Sequence, residues 1–265
     1  MSAIGVFDSG VGGLTVVAAL QRRLPAESIL YLGDTARLPY GTKSIATVTR
    51  YTQRNIDFLL ARDVKAVVVA CNTASALALD RVEPHYSDAP IPLFGVIEPG
   101  AAEATKVSRG SIGVIATEST VRSDAYAAAI HRRAPGVRVN STACPLFVPL
   151  VEEGWQDDPI AAEVARRYLQ PLLAEEIDTL VLGCTHYPLL RSTLQAVVGS
   201  DIQLVDSAEA VAREVETRLT AAGVLATARE QRSHFCLTDD TPAFAQLATR
   251  ILEREDLSFE LVDVA

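Results

Sequence analysis

Short apolar segments alternate with amphipathic segments from the first residues of the chain. Most of the apolar segments are rich in β-branched side chains and lack polar alternation, which is typical of buried parallel strands. Strands are predicted at 4–7, 28–32, 66–70, 93–97, 112–115, 137–140, 179–182 and 202–205. Apolar positions at helical spacing predict helices over 14–24, 43–62, 119–133, 159–175 and 208–222. This alternation predicts an α/β fold with doubly wound, mainly parallel sheets.

The two halves of the chain carry similar short patterns in the same order. IGVFDSG at 4–10 is similar to IGVIATE at 112–118, and AVVVACNT at 66–73 is similar to TLVLGCTH at 179–186. The two matches have offsets of 108 and, between their cysteines, 113 positions. Buried strands resemble one another in any protein, but two ordered matches at nearly one offset favour two pseudo-symmetric domains.

The domain boundaries follow from this repeat. We expect residues 96–207 to form the second domain and residues 1–95 to form the first. The remaining segment, 208–265, carries a predicted strand at 233–238 and a predicted helix at 242–254. We expect it to complete the first domain, because 93–97 leads directly into the second.

Composition narrows the classes of function. A chain of 265 residues is long enough for two domains, and its net charge of −9 gives no basic face for nucleic acid. No apolar run approaches the roughly 20 residues of a membrane span, and the first ten residues lack the basic and long apolar segments of a secretory signal. The four cysteines are widely spaced, without a C-x-x-C pair, which is typical of reduced thiols. We therefore expect a cytoplasmic protein that binds neither nucleic acid nor membrane.

Two of the cysteines stand where predicted strands end. Cys71 follows the strand at 66–70, and Cys184 follows the strand at 179–182 and precedes Thr185 and His186. Ligand sites in such sheets lie at the carboxyl ends of strands, and a helix N-terminus after Cys71 would stabilise its thiolate. Each cysteine alone is compatible with a structural role. Cys184 and His186 lack the second ligand pair of a zinc site, so we expect no metal.

The pair of cysteines is more informative than either one. Because they occupy equivalent strand ends in two similar halves, we expect their thiols to reach one ligand from opposite sides of a cleft. Stereoinversion needs this symmetry: one group removes a proton from one face of a carbon, and the other returns a proton to the opposite face. The lysines that could carry pyridoxal phosphate, Lys43, Lys65 and Lys106, do not end strands. We therefore expect no cofactor.

The glycine-rich segment DSGVGGL at 8–14 joins a predicted strand to a predicted helix. Its glycines permit a tight turn, and the free N–H groups of the following helix suit a carboxylate. The segment matches neither common nucleotide-binding motif. Asp8 ends the strand, where it is a candidate acid/base group or a plain helix cap.

Other polar positions are candidates by their place in the pattern. Tyr40 and Gly41 can offer a hydroxyl and an N–H to a carboxylate, or form a simple turn. Thr117 and Thr120 occupy the position in the second half that DSG occupies in the first, so they are candidate substrate-binding residues. The alternative is that they cap a helix. Glu152 lies in a stretch predicted to be irregular, where alone it would be a surface carboxylate.

Several motifs together resemble those of the glutamate racemases, within the aspartate/glutamate racemase superfamily. They are DSGVGGL at 8–14, LPYG at 38–41, ACNTAS at 70–75, IGVIAT at 112–117, PLVEEG at 149–154 and GCTHYPLL at 183–190. They span nearly the whole chain in order, and the combination of CNT with GCTHYP is specific.

The resemblance implies a cofactor-independent glutamate racemase that supplies D-glutamate for peptidoglycan. It implies two α/β domains with the active site in the cleft between them, commonly in a homodimer. Cys71 would deprotonate D-glutamate with the help of Asp8, and Cys184 would deprotonate L-glutamate with the help of His186, near Glu152. The expected substrate-binding positions are Asp8, Ser9, Tyr40, Gly41, Asn72, Thr73, Thr117, Thr120, Thr185 and His186.

Three alternatives stay open at this point. Aspartate racemase or a related superfamily isomerase would use the same thiols. A thiol hydrolase would use Cys184 and His186 as nucleophile and base and leave Cys71 idle. An acidic amino-acid binding protein without catalysis would need no opposed thiols. Cys144 and Cys236 are expected to be structural.

Overall fold

The computed structural model describes residues 2–88, 91–227 and 233–264. The strands are β1 (Ile4–Asp8), β2 (Ile29–Gly33), β3 (Ala66–Val69), β4 (Leu93–Gly95), β5 (Ser111–Ala116), β6 (Arg138–Ala143), β7 (Thr179–Gly183), β8 (Gln203–Asp206), β9 (His234–Leu237) and β10 (Phe259–Leu261).

The α-helices alternate with these strands along most of the chain. They are α1 (Leu14–Arg23), α2 (Ile45–Leu60), α3 (Asn72–Leu77), α4 (Leu79–Val82), α5 (Ile97–Val107), α6 (Glu118–Arg122), α7 (Ala125–Arg133), α8 (Phe147–Glu152), α9 (Pro159–Ala174), α10 (Arg191–Val198), α11 (Ser207–Ala221) and α12 (Pro242–Leu252). Short 3₁₀ turns cover Thr35–Arg37, Tyr40–Thr42, Glu83–Tyr86 and Tyr187–Leu190.

The strands form two sheets with the same internal order. The first sheet runs β10-β9-β2-β1-β3-β4 and the second runs β6-β5-β7-β8. Every strand pairing in both sheets is parallel. The order β2-β1-β3-β4 therefore recurs as β6-β5-β7-β8, which is the structural form of the sequence repeat. The predicted α/β fold with parallel sheets is confirmed.

The tail strands β9 and β10 extend the first sheet beyond β2. Helix α11, which precedes them, packs against both α1 and α5. The division into 1–95 plus 208–265 and 96–207 stays a prediction.

Equivalent strands place the candidate thiols. β1 pairs with β3, and Cys71 lies two residues after β3; β5 pairs with β7, and Cys184 follows β7 directly. Strands β1, β3 and β7 are buried along their whole length. The apolar segments seen in the sequence thus hold the two cysteines at matching edges of the two sheets. No helix in the described ranges is both long and apolar enough to cross a bilayer.

Three predicted elements differ from the structure. The strand predicted at 93–97 ends at Gly95, and α5 begins at Ile97; Pro99 and Gly100 hid this helix, although proline is tolerated in a first turn. The helix predicted over 119–133 is broken at Asp124, whose φ is 58°. Glu152 ends helix α8 instead of lying in an irregular stretch; Pro149, in the first turn of that helix, masked it.

Asp178 fastens the start of the second sheet. Its carboxylate accepts hydrogen bonds from the N–H groups of Arg109 and Ser111, both at 3.0 Å, and from the Thr179 hydroxyl at 2.7 Å. These bonds tie the turn before β5 to the first residue of β7, the strand that Cys184 follows directly.

We predict that Asp178→Ala lowers the free energy of unfolding by about 1–3 kcal/mol, because two backbone donors lose their acceptor. Urea denaturation of the whole chain measures the change. Asp201→Ala, at an exposed position near β8, is the control and is expected to shift stability by less than about 0.5 kcal/mol. Equal stability of the two variants would contradict the assigned role.

Candidate active site

A cavity of about 400 Å³ lies at the carboxyl ends of strands from both sheets. Residues that follow β1, β2 and β3 line it together with residues that follow β5, β6 and β7. The thiols of Cys71 and Cys184 belong to this single cavity. The other lining residues are Ser9, Gly10, Leu38, Pro39, Tyr40, Gly41, Thr42, Asn72, Thr73, Thr117, Glu118, Pro145, Val148, Pro149, Glu152, Thr185 and His186.

Cys71 stands at the N-terminus of α3, where its sulfur accepts the N–H of Ala74 at 3.5 Å. The same sulfur lies 3.6 Å from the Ser9 hydroxyl. Burial, and then the Asp8 carboxylate, raise the pKa of Cys71 to about 12. Burial and that carboxylate therefore outweigh the N–H donor at the helix start, and Cys71 holds its proton at neutral pH.

Asp8 lies below the cavity at the end of β1 and is fully buried. Its carboxylate accepts the N–H of Gly10 at 3.0 Å and the Thr185 hydroxyl at 3.4 Å. Burial raises the pKa of Asp8, while His186 and the hydrogen bonds oppose that rise. Asp8 thus contacts both halves of the molecule without lining the cavity.

Cys184, His186 and Glu152 form a chain of two side-chain contacts. The sulfur of Cys184 lies 3.9 Å from Nδ1 of His186, and Nε2 of the same ring lies 3.2 Å from Oε1 of Glu152. Burial lowers the pKa of His186, but its hydrogen bonds to Cys184 and Glu152 outweigh burial and raise it to about 10. A protonated imidazole beside a thiol stabilises the thiolate. The two cysteines therefore have neighbours of opposite electrostatic effect.

The turn after β1 makes a close contact with the segment after β7. The Thr15 hydroxyl lies 2.8 Å from the backbone oxygen of Gly12 and 3.1 Å from that of Thr185, and it shares its one proton between these two acceptors. A Cβ on Gly12 would overlap the side chains of Thr185 and His186, with Cε1 of the ring only 2.7 Å away. A residue with a side chain would therefore not fit at position 12 of the DSGVGGL motif.

Tyr40 and Gly41 belong to a 3₁₀ turn in the segment after β2, and both line the cavity. The hydroxyl of Tyr40 donates to the buried carboxylate of Asp34 and accepts from the Asn55 amide at 3.0 Å. The backbone oxygen of Gly41 accepts the Ser119 hydroxyl, which joins this turn to the second half. The hydrogen bonds of the Tyr40 hydroxyl therefore hold the turn in place, and the residues of this turn line the cavity.

Three threonine hydroxyls bond to one another across the two halves. Thr73 lies 3.0 Å from Thr117 and 3.3 Å from Thr120, and Thr117 lies 3.0 Å from Thr120, all between hydroxyl oxygens. Thr73 and Thr117 line the cavity, whereas Thr120 is buried behind them. All the predicted site residues are thus brought together, with Asp8 and Thr120 in supporting positions outside the lining.

Asn72 carries an unused donor next to the cavity. Its Oδ1 accepts the hydroxyl of Tyr126 at 2.6 Å, while its buried Nδ2 has no hydrogen-bond partner within the described part of the chain. A buried polar group without a partner is costly, so this amide suits a ligand that brings an acceptor. Tyr126 was not found from the sequence, because it reads as one more apolar position of a helix.

Comparison with known proteins bears directly on this arrangement. The profile of the Asp/Glu/Hydantoin racemase family matches residues 4–215. The chain belongs to this family. A glutamate racemase of Geobacter metallireducens is 53% identical over 252 residues, which are 94% of this chain and 92% of that protein. The resemblance read from the motifs is therefore confirmed.

Solved structures of racemases share the fold. Glutamate racemase isoform RacE1 from Bacillus anthracis superposes with a TM-score of 0.94 at 42% identity, covering 99% of this chain and 97% of that one. Glutamate racemase from Francisella tularensis in complex with D-glutamate has a TM-score of 0.93 at 38% identity, covering 99% and 98%.

The pKa of His186 generates a prediction about stability and pH. It is about 10 in the folded protein, above the value of about 6.5 in an unfolded chain, so folding strengthens proton binding. The stabilisation is fully present below about pH 6.5 and is lost as the pH rises through about 10. Urea denaturation of the wild type and His186→Asn should give a stability difference that shrinks over this range.

His85→Asn, which replaces an exposed histidine outside the cavity, is the matched control for this titration. A difference between wild type and His186→Asn that stays constant from neutral to alkaline pH would show that His186 is not held protonated.

Proposed function

We propose that this racemase-family chain interconverts L- and D-glutamate without a cofactor, by proton transfer between the substrate α-carbon and two thiols. The observation that carries the proposal is that Cys71 and Cys184, at equivalent edges of two sheets with the same strand order, line one cavity. The relatives named above support glutamate as the substrate, since one of them was solved with D-glutamate.

The two thiols take different roles in one direction. Cys184, whose sulfur lies 3.9 Å from Nδ1 of His186, acts as the base that takes the α-proton of L-glutamate. The thiol of Cys71, whose pKa is raised, gives its own proton to the opposite face of the same carbon. The product is D-glutamate, with the proton now on Cys184 and the thiolate on Cys71. Proton exchange with solvent restores the starting state, and D-glutamate reacts by the reverse path.

Asp8 and Glu152 act through these primary groups. Buried Asp8, bonded to Thr185 and close enough to influence the pKa of Cys71, assists proton movement on the Cys71 side. Glu152 accepts from Nε2 of His186 and so holds the ring with Nδ1 towards Cys184. Both are positioning residues in this scheme.

The site must also make the α-proton more acidic. An α-hydrogen of an amino acid is far less acidic than a thiol, so the negative charge that develops on the substrate needs fixed donors around it. The unpartnered Nδ2 of Asn72 is one such donor, aimed by the Tyr126 hydroxyl bond on its other end. The proposed substrate-binding residues that line the cavity are Ser9, Tyr40, Gly41, Asn72, Thr73, Thr117, Thr185 and His186, and Asp8 and Thr120 support them from outside the lining.

The rival activities are less well supported by this geometry. A thiol hydrolase built on Cys184 and His186 gives no role to Cys71, and a binding protein needs neither thiol. Aspartate racemisation uses the same groups and is decided by assay.

The wider expectations form part of the same proposal. A D-glutamate supply serves peptidoglycan synthesis, so we place the protein in the bacterial cytoplasm, as a homodimer that does not bind nucleic acid. The proposed domain division, 1–95 with 208–265 against 96–207, sets the cavity between two units and allows them to close on the substrate.

Circular dichroism of L-glutamate with the pure protein and no added cofactor tests the activity. The signal is expected to decay to zero, while the same protein acts on L-aspartate much more slowly. Decay with aspartate at an equal or greater rate would replace glutamate by aspartate as the substrate, and no decay with either would overturn the proposal.

Removal of either thiol tests the two-base assignment. Cys71→Ala and Cys184→Ala are each predicted to lower kcat for racemisation by at least about 10²–10⁴-fold, the usual contribution of a positioned general base. Polarimetry from both enantiomers gives the rates. Cys236→Ser, outside the cavity, is the control that should keep normal turnover. Near-normal activity in either alanine variant would refute the role given to that cysteine.

Isotope exchange tests the proton path. In heavy water, L-glutamate is predicted to give D-glutamate that carries deuterium at the α-carbon, because the proton returned by Cys71 comes from solvent. Mass spectrometry of the separated enantiomers detects it. Product formed without label would exclude delivery from a solvent-exchanged thiol.

A further inference from the structure

Three side chains with metal-binding atoms converge at the edge of the first sheet. His234 and Cys236 are two residues apart on β9, so their side chains leave the same face of the strand. Glu260 on β10 is paired directly with Cys236 in the parallel register, which brings it to that face as well. The arrangement is thus dictated by strand geometry.

The distances between the potential ligand atoms are short. Nε2 of His234 lies 2.9 Å from Oε2 of Glu260, the sulfur of Cys236 lies 3.9 Å from the same oxygen, and all three atoms lie within 4.8 Å of one another. Tetrahedral zinc with Zn–S near 2.3 Å and Zn–N or Zn–O near 2.0 Å separates its ligands by about 3.3–3.8 Å. Side-chain shifts of less than about 1 Å bring these atoms to that spacing.

The surroundings leave access for an ion and for a further ligand. The side chains of His234 and Glu260 are 64% and 51% exposed, whereas Cys236 is buried. A cavity of about 370 Å³ adjoins His234 and Glu260, and Arg62 and Asp63 are among its other lining residues. An ion held by the three side chains therefore meets solvent on one side.

The chemistry of the donors selects the class of ion. Thiolate, imidazole and carboxylate together suit a borderline divalent ion such as Zn²⁺, whereas Mg²⁺ and Ca²⁺ prefer oxygen ligands alone. The alternative is that His234 and Glu260 form an ion pair only, and that Cys236 is a buried structural residue.

We propose that His234, Cys236 and Glu260 bind one Zn²⁺-type ion, with water as the fourth ligand. None of the three lines the catalytic cavity, so the ion is not part of the racemase chemistry. It joins the three-residue edge strand β10 to β9, and its role is to hold this edge of the first sheet.

Titration of the metal-free protein with Co²⁺ under reducing conditions tests the site, because cobalt bound by a thiolate gives a charge-transfer absorption band. We expect one equivalent of Co²⁺ to produce the band in the wild type, and Zn²⁺ to displace it. The band should persist in Cys71→Ser/Cys184→Ser, which removes both thiols of the catalytic cavity, and should disappear in Cys236→Ser. A band that survives Cys236→Ser, or that depends on Cys184, would overturn the proposal.

His234→Ala and Glu260→Gln separate ligation from folding. Loss of a residue that hydrogen-bonds to a metal ligand typically weakens metal binding about 10–100-fold. Loss of a ligand itself should therefore weaken the Co²⁺ affinity at least tenfold. Zn²⁺ should raise the Tm of the wild type by more than it raises that of His234→Ala. Racemase activity of both variants should match the wild type, which shows that they fold. Unchanged Co²⁺ affinity in these variants, or no binding by the wild type, would leave the ion pair as the whole explanation.

Discussion

The close approach of the turn after β1 to the segment after β7 is the constraint on which the site depends. Gly12 has no Cβ to collide with Thr185 and His186, and the Thr15 hydroxyl bonds to the backbone of Thr185 at that contact. Because both sheets are parallel, their ligand-binding edges are the carboxyl ends of the strands, and this contact holds two such edges together. One cavity results, with a thiol from each sheet.

Matching positions in the two sheets acquire different chemistry from their neighbours. Cys71 is buried beside the carboxylate of Asp8, which disfavours its thiolate. Cys184 instead has a histidine next to it; burial lowers the pKa of that ring, but its hydrogen bonds to Cys184 and Glu152 raise it to about 10. In the proposed mechanism, the same strand-end geometry presents an acid at Cys71 and a base at Cys184, which is the state that a proton exchange on a single carbon needs at its start.

Much of the fold and the positions of the two cysteines could be predicted from local patterns in the sequence, whereas most of the other site residues and their roles were implied by the resemblance to glutamate racemases. Buried parallel strands appear in the sequence as continuous apolar segments, and Cys71 and Cys184 lie where two of these segments end. The pattern could not find Tyr126, whose bond to Asn72 depends on how α7 packs on the other half. It missed α5 and α8 because a proline in the first turn of each imitates a loop. The proposed ion site at His234, Cys236 and Glu260 could not be predicted from the sequence, because the cross-strand register that joins β9 to β10 is not a local pattern.

The account turns on one geometric claim, that the sulfurs of Cys71 and Cys184 face a single carbon from its two sides. A crystal structure of the protein with D-glutamate measures this directly. We expect the ligand α-carbon to lie between the two sulfurs, with the Asn72 amide bonded to a substrate oxygen. Both sulfurs on the same face of that carbon, or glutamate bound outside this cavity, would contradict the account.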